Sequence, residues 1–202
     1  MIHNIAQGVQ AFTSNAFLVA PGARGEHGAS GRTVLVDTGA NFDAVSHLAG
    51  DVDHLDAVVI THTHPDHVGN VDAVRTRFGV ETWGFDTSHD AVDNRIEDGE
   101  TVRIGTEEYR ALHTPGHAVD HLCLYAPDAG VLFAGDLVFA GGSFGRTDLP
   151  GGDGKTLVES IERVVGTVEG NLQALHTGHG PSVVDDPLDA LEQSLRAARL
   201  SA

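Results

Sequence analysis

Short apolar runs rich in β-branched residues punctuate the chain: AFLVA (16–20), TVLVDTG (33–39), LDAVVI (55–60), VETWGF (80–85), HLCLYA (121–126) and GVLFAGDLVFA (130–140). Bounded by glycine, proline and aspartate, runs of this length read as strands. Between them, apolar residues recur at helical spacing near 43–49, over 66–78 with Pro65 pre-set for the first turn, near 154–168 and over 187–200. Strands and helices interleave, which predicts the α/β class. The glycine-rich APGARGEHGASGR (20–32) has no periodicity and is expected to be an exposed hairpin loop without chemistry. With no Pro/Ser linker, low-complexity tract or repeat, residues 1–202 are expected to form a single domain with one full core.

Charge narrows the range of partners. The chain has 29 acidic against 12 basic residues, a formal charge of −17, and Lys155 is its one lysine. Such a surface repels phosphate backbones and anionic lipid, so neither nucleic acid nor membrane is an expected partner. A dense carboxylate layer suits a salt-rich, halophilic setting, where ions screen the self-repulsion. Cys123 is the single cysteine, so no internal disulfide can form, and its apolar strand setting reads as a small buried hydrophobe. MIHNIAQGVQ lacks the features of a signal peptide, and no apolar run reaches the ~20 residues of a membrane span. The expected location is cytoplasmic.

The chemistry concentrates where the 55–60 strand ends. THTHPDH (61–67) places His62, His64, Asp66 and His67 within six residues. At an extended strand end His62 and His64 project to the same side, whereas Asp66 and His67 fall in the first helical turn and point elsewhere. One segment can therefore serve two neighbouring centres. A lone histidine is more often a satisfied core or loop residue, but four unpaired groups of this kind, buried without a cation, would cost several kcal/mol of desolvation. Imidazole with carboxylate suits zinc or another divalent first-row metal. Three turn-embedded residues could complete a site: His117 in LHTPGHAVDH, Asp136 in VLFAGDLVFAG and His179 in ALHTGHGP.

THTHPDH, HTPGH, FAGD and TGHG, in this order and at these intervals, resemble the metallo-β-lactamase superfamily across nearly the whole chain. Within it, FAGDLVFAGGSFGRTDLPGG (133–152) is similar to the short glyoxalase II-like hydrolases, which act on thioesters of the hydroxyacylglutathione type. The resemblance implies a four-layer αββα sandwich with two packed mixed β-sheets. It also implies two divalent metal ions, with zinc first and iron or manganese as alternatives. His62, His64 and His117 would hold one ion, Asp66, His67 and His179 the other, and Asp136 would bridge them. The implied reaction is attack of a metal-bound hydroxide on a small-molecule thioester, with Asp66 as the catalytic residue that orients the hydroxide and shuttles its proton. Asp37 and His121 are candidates to support the ligands from behind, since a ligating imidazole usually hands its other nitrogen to a partner. Arg146 and Lys155 are cations that could meet a substrate carboxylate.

Rival readings are weighed on particular residues. A mononuclear iron persulfide dioxygenase of the same superfamily shares a GRTD-like segment, but here Gly145-Arg146-Thr147-Asp148 runs on into Leu149-Pro150, as in the hydrolase subgroup. An ester or lactone hydrolase is a lesser alternative, and a non-catalytic metal scaffold the plainest one. The flavo-diiron branch carries glutamate where this chain has His64, and secreted β-lactamases carry cysteine where it has Asp136. GGSFG (141–145) formally matches a serine nucleophile elbow, yet a loop follows it rather than a helix. PGGDGKT fails as a phosphate-binding loop because Leu149 stands where glycine is needed. Trp83 and Phe85 are expected to pack rather than to stack on a ligand.

Overall fold

The structure is a computed structural model describing residues 1–21, 31–168 and 170–202. The expected loop at 20–32 falls largely outside the described residues. The chain divides into two compact units, Met1–Ile96 with Val102–Glu108, and Glu97–Thr101 with Tyr109–Ala202.

The first unit is built on a six-stranded sheet in chain order: β1 (Ile2–Asn4), β2 (Phe17–Val19), β3 (Val34–Val36), β4 (Ala57–Val59), β5 (Thr82–Gly84) and β6 (Asn94–Arg95). The β1–β2 and β2–β3 pairs are antiparallel, and β3 to β6 run parallel. Parallel strands need crossovers, and helices supply them: α1 (Ala44–Ala49) joins β3 to β4, while α2 (Pro65–Val68) and α3 (Val71–Phe78) join β4 to β5. Leu18, Leu35, Val58 and Ile60 form one apolar cluster with Ala44 and Leu48 of α1 and Val71 and Val74 of α3. Each such fully buried side chain contributes about 1.5–3 kcal/mol of transfer free energy. Asp43 caps α1 by accepting from the Ser46 amide at 3.0 Å, and α3 ends at Gly79, left-handed at φ 63°.

The helix expected over 66–78 is in fact two. Gly69 and Asn70 interrupt it, and Asn70 (φ −102°, ψ 6°) starts α3 afresh. A Cβ on Gly69 would lie 2.6 Å from the Ala40 methyl, so the missing side chain lets the chain pass close to the loop after β3.

A five-stranded sheet is ordered β13-β10-β9-β8-β7, with β7 (Thr101–Ile104), β8 (Glu107–His113), β9 (Leu122–Ala126), β10 (Val131–Gly135) and β13 (Ala174–Thr177), of which β9, β10 and β13 lie wholly in the second unit. The strand expected over 130–140 stops at Gly135, and β11 (Val138–Phe139) turns away to pair with β12 (Ser143–Phe144). Helices α4 (Gly154–Val168) and α5 (Pro187–Ser201) share a core with the sheet, where Leu157, Ile161, Val164, Leu191 and Leu195 meet Leu112, Tyr125, Leu132 and Leu175. Cys123 is wholly buried there, and burial pushes its thiol up to about 12. No described helix is long and apolar enough to cross a membrane.

Candidate metal centre

In the first unit the chemistry lies at the carboxyl ends of adjacent parallel strands, where open α/β sheets place ligands. Asp37 follows β3, Thr61 and His62 follow β4, and Asp66 and His67 open the helical segment behind them. Asp37 sits at φ 57°, a left-handed conformation that costs a non-glycine residue free energy. Its carboxylate holds it there: Oδ1 accepts from the Thr61 amide at 2.8 Å, and Oδ2 accepts from the Thr61 hydroxyl at 2.8 Å. Asp37 Oδ2 also lies 2.8 Å from His67 Nδ1, with Asp37 2% and His67 0% exposed.

These contacts fix tautomers. A carboxylate only accepts, so His67 carries its proton on Nδ1 and presents Nε2 as a lone pair. The Thr61 hydroxyl spends its hydrogen on Asp37, so at 3.2 Å it accepts from His62 Nδ1 and leaves the lone pair of His62 on Nε2. That Nε2 is 3.1 Å from His64 Nδ1. Two nitrogens on one tetrahedral ion at ~2.0–2.1 Å would stand ~3.3–3.4 Å apart, so the spacing fits a shared cation. His62 with His64, His62 with His67, and Asp66 with His67 all offer ligand atoms within 4.8 Å of each other.

The second unit assembles its residues by the same edge logic. β10 and β13 are parallel with Gly135 opposite Thr177, so Asp136 and His179 emerge at one end. β9 is antiparallel to β10, which brings the preceding loop with His117 and His121 to that end too. Asp136 Oδ2 lies 3.5 Å from His117 Nε2 and 3.4 Å from His179 Nε2. His117 Nδ1 donates to the Arg146 carbonyl at 2.7 Å, so its Nε2 faces the carboxylate as a lone pair.

His121 lies behind Asp136 rather than behind a histidine. Its Nε2 accepts from the Asp136 amide at 3.0 Å, so its Nδ1 donates to the Thr114 hydroxyl at 2.8 Å. Both nitrogens are committed, and the ring holds the backbone of Asp136 rather than a histidine side chain. Two glycines permit this crowding. A Cβ on Gly145 would fall 2.0 Å from the Asp136 carbonyl oxygen and 3.0 Å from the His117 Cβ. One on Gly116, at φ 129°, would fall 2.3 Å from the Leu157 amide nitrogen.

The expected cations differ in setting. Arg146 is held bidentately by Asp148, at 2.7 and 2.6 Å, and the guanidinium draws that carboxyl down to about 2. Lys155 is exposed in the first turn of α4. Ser143 lies on β12, with loop residues rather than a helix after it, so it has no nucleophile elbow.

Imidazoles with fixed lone pairs beside carboxylates are a donor set for a divalent first-row metal. The family model of the Metallo-beta-lactamase superfamily matches residues 9–91 and 84–183, and the chain belongs to that superfamily. A hydroxyacylglutathione hydrolase of Chromohalobacter salexigens is 35% identical over 116 residues, 56% of this chain and 46% of the relative, so under half of that protein's length is matched. The crystal structure of the BLEG-1 B3 metallo-beta-lactamase has a TM-score of 0.74 at 26% identity, covering 97% of both chains. TTHA1623, crystallised in a di-iron-bound form, has a TM-score of 0.69 at 28% identity and covers 90% of this chain and 93% of its own. The expected fold class is therefore correct: α/β of the metallo-β-lactamase type, with two mixed sheets.

Proposed function

We propose that residues 1–202 act as one domain, a dinuclear metal-dependent hydrolase of thioesters of the hydroxyacylglutathione type. The observation that carries the reading is the anchoring of ligand imidazoles from behind, His67 by Asp37 and His117 by the Arg146 carbonyl, which aims each Nε2 lone pair outward. His62, His64 and His117 would hold one ion and Asp66, His67 and His179 the other, with the Asp136 carboxylate available to both. The similarity to a hydroxyacylglutathione hydrolase supports the thioester, and the di-iron form of TTHA1623 keeps iron beside zinc as the metal.

When bound, such ions lower the pKa of water toward ~7 and polarise a carbonyl. The chain's own residues do the rest. Asp66, partly exposed at the start of α2, orients the attacking water and takes its proton, which it can then pass to the departing thiolate. Asp37 and His121 keep His67 and Asp136 in place through the reaction. The acidic surface favours an enzyme of a salt-rich cytoplasm acting on a small molecule.

A substrate panel tests this reading. Purified protein is given lactoylglutathione, a lactone, and glutathione persulfide with oxygen monitored. Thioester cleavage that chelation abolishes and zinc, iron or manganese restores is the expected result. Stoichiometric iron with rapid oxygen consumption on the persulfide would replace it with the dioxygenase alternative.

A further inference from the structure

In a chain so rich in acid, most described arginines are tied into ion pairs, as Arg75 is with Asp93, Arg163 with Asp98 and Arg199 with Glu162. Arg95 has no ion pair among the described residues, and its guanidinium lies over the Phe85 ring, 4.8 Å from the centroid. Its place in the sheet gives this meaning. Arg95 is the last residue of edge strand β6, opposite Gly84 at the end of β5, and Phe85 is the first residue beyond β5. The Ile60 amide donates to the Trp83 carbonyl at 2.7 Å, so β4 and β5 reach the same level just before the chain enters THTHPDH. Phe85 thus draws the charge to the carboxyl edge of the sheet, the edge that carries His62 and His64. Asp86, the acid next to Phe85, has its carboxylate bonded to the Ser88 amide at 2.9 Å; it feels the Arg95 charge, which helps to lower its pKa, but makes no ion pair with it.

We propose that Arg95, propped on Phe85, is a binding site for a carboxylate on the thiol carrier of the substrate. The inference rests on the thioester reading above and adds to it a subsite within the first unit. Neighbouring strands stand ~4.8 Å apart, so β6 lies ~10 Å from β4, a span that an extended peptide carrier covers in about three residues. The ring holds the guanidinium by a cation–π contact while leaving its hydrogen-bond donors for a carboxylate, which a planar fork can grip with two bonds. Against the −17 charge of the chain, an arginine in no close ion pair is a local attractor for an anion, with Asp86 the acid whose attraction a ligand must compete with.

Binding can be read without turnover, by calorimetry of the purified protein with S-methylglutathione, a thioether that cannot be hydrolysed, and with its dimethyl ester. Wild type is expected to prefer the acid. Arg95→Gln should weaken the acid about five-fold and bring the acid-to-ester affinity ratio toward one. Arg77→Gln is the control: Arg77 makes the same kind of contact with Phe78, at 4.9 Å, but on α3. It should bind both probes as wild type does. Equal affinity of wild type and Arg95→Gln for the acid, or no binding of the acid by wild type, would overturn the proposal. Charge-selective binding in a protein that cleaves no thioester would sink the thioester reading and leave the subsite standing.

Discussion

His67 Nδ1 and Asp37 Oδ2 stand 2.8 Å apart, both side chains are buried, and the aspartate is held in a left-handed conformation to make the contact. Asp37→Asn tests what the carboxylate does. Asparagine tolerates φ above zero, so the backbone should survive. An amide, however, can donate to Nδ1 and so push the His67 proton onto Nε2, where it blocks a cation. Retained metal should fall 10–100-fold in affinity, measured by competition with a chromophoric chelator. Unchanged affinity would mean that Asp37 is only a strand-end brace.

Gly145 tests the packing around Asp136. Its missing side chain leaves room for the Asp136 carbonyl, which a Cβ would approach to 2.0 Å. Gly145→Ala should cost about 1–3 kcal/mol in urea unfolding. Gly166, inside α4 with open space around it, is the contrast. Gly166→Ala should stabilise by about 0.5–1 kcal/mol through helix propensity alone.

His176 predicts an acid limb to stability. It stacks on Phe133 and bonds Ser182 at 2.8 Å, and burial pushes its pKa down to about 4 from an ordinary 6.5. Because the folded pKa is depressed, the unfolded chain takes up the proton first. The contribution is intact above pH 6.5, is lost as pH falls toward 4, and is flat below that. The loss should approach about 3 kcal/mol, read from urea midpoints across this window. His176→Phe should lack this part of the pH dependence.

Salt is expected to stabilise so acidic a chain. The melting temperature should rise from low to molar KCl, as counterions screen the self-repulsion of a −17 chain. A flat or falling temperature would contradict a halophilic adaptation.

The sequence was most legible where side-chain type and spacing state the chemistry. THTHPDH at the end of an apolar run marked a candidate metal-binding strand end, and the structure puts it after β4 with His64 as the extended residue before α2. Strands without a clean apolar run were silent. EEYRALH (107–113) forms β8, but only Tyr109, Ala111 and Leu112 are buried, and charges occupy its other face. ALHT (174–177) forms β13, with its histidine in the middle. Contacts made through the backbone left no mark on residue identity either. Nothing in the spelling of Arg146 says that its carbonyl fixes His117, and which candidate ligand His121 supports was not legible until its two nitrogens were traced to Asp136 and Thr114. Gly69 was visible as a glycine, but the close approach of Ala40 that demands it is tertiary. Arg95 gave no signal at all, since its meaning lies in the register of β5 and β6.

The central claim is that this donor set works as a two-ion hydrolase. The direct measurement is the rate of lactoylglutathione hydrolysis by stripped protein as zinc, iron or manganese is added back in known equivalents. The account predicts that the rate climbs until two equivalents are bound per chain and then levels off. Full binding of two equivalents with no hydrolysis, or a rate that saturates at one, would contradict it.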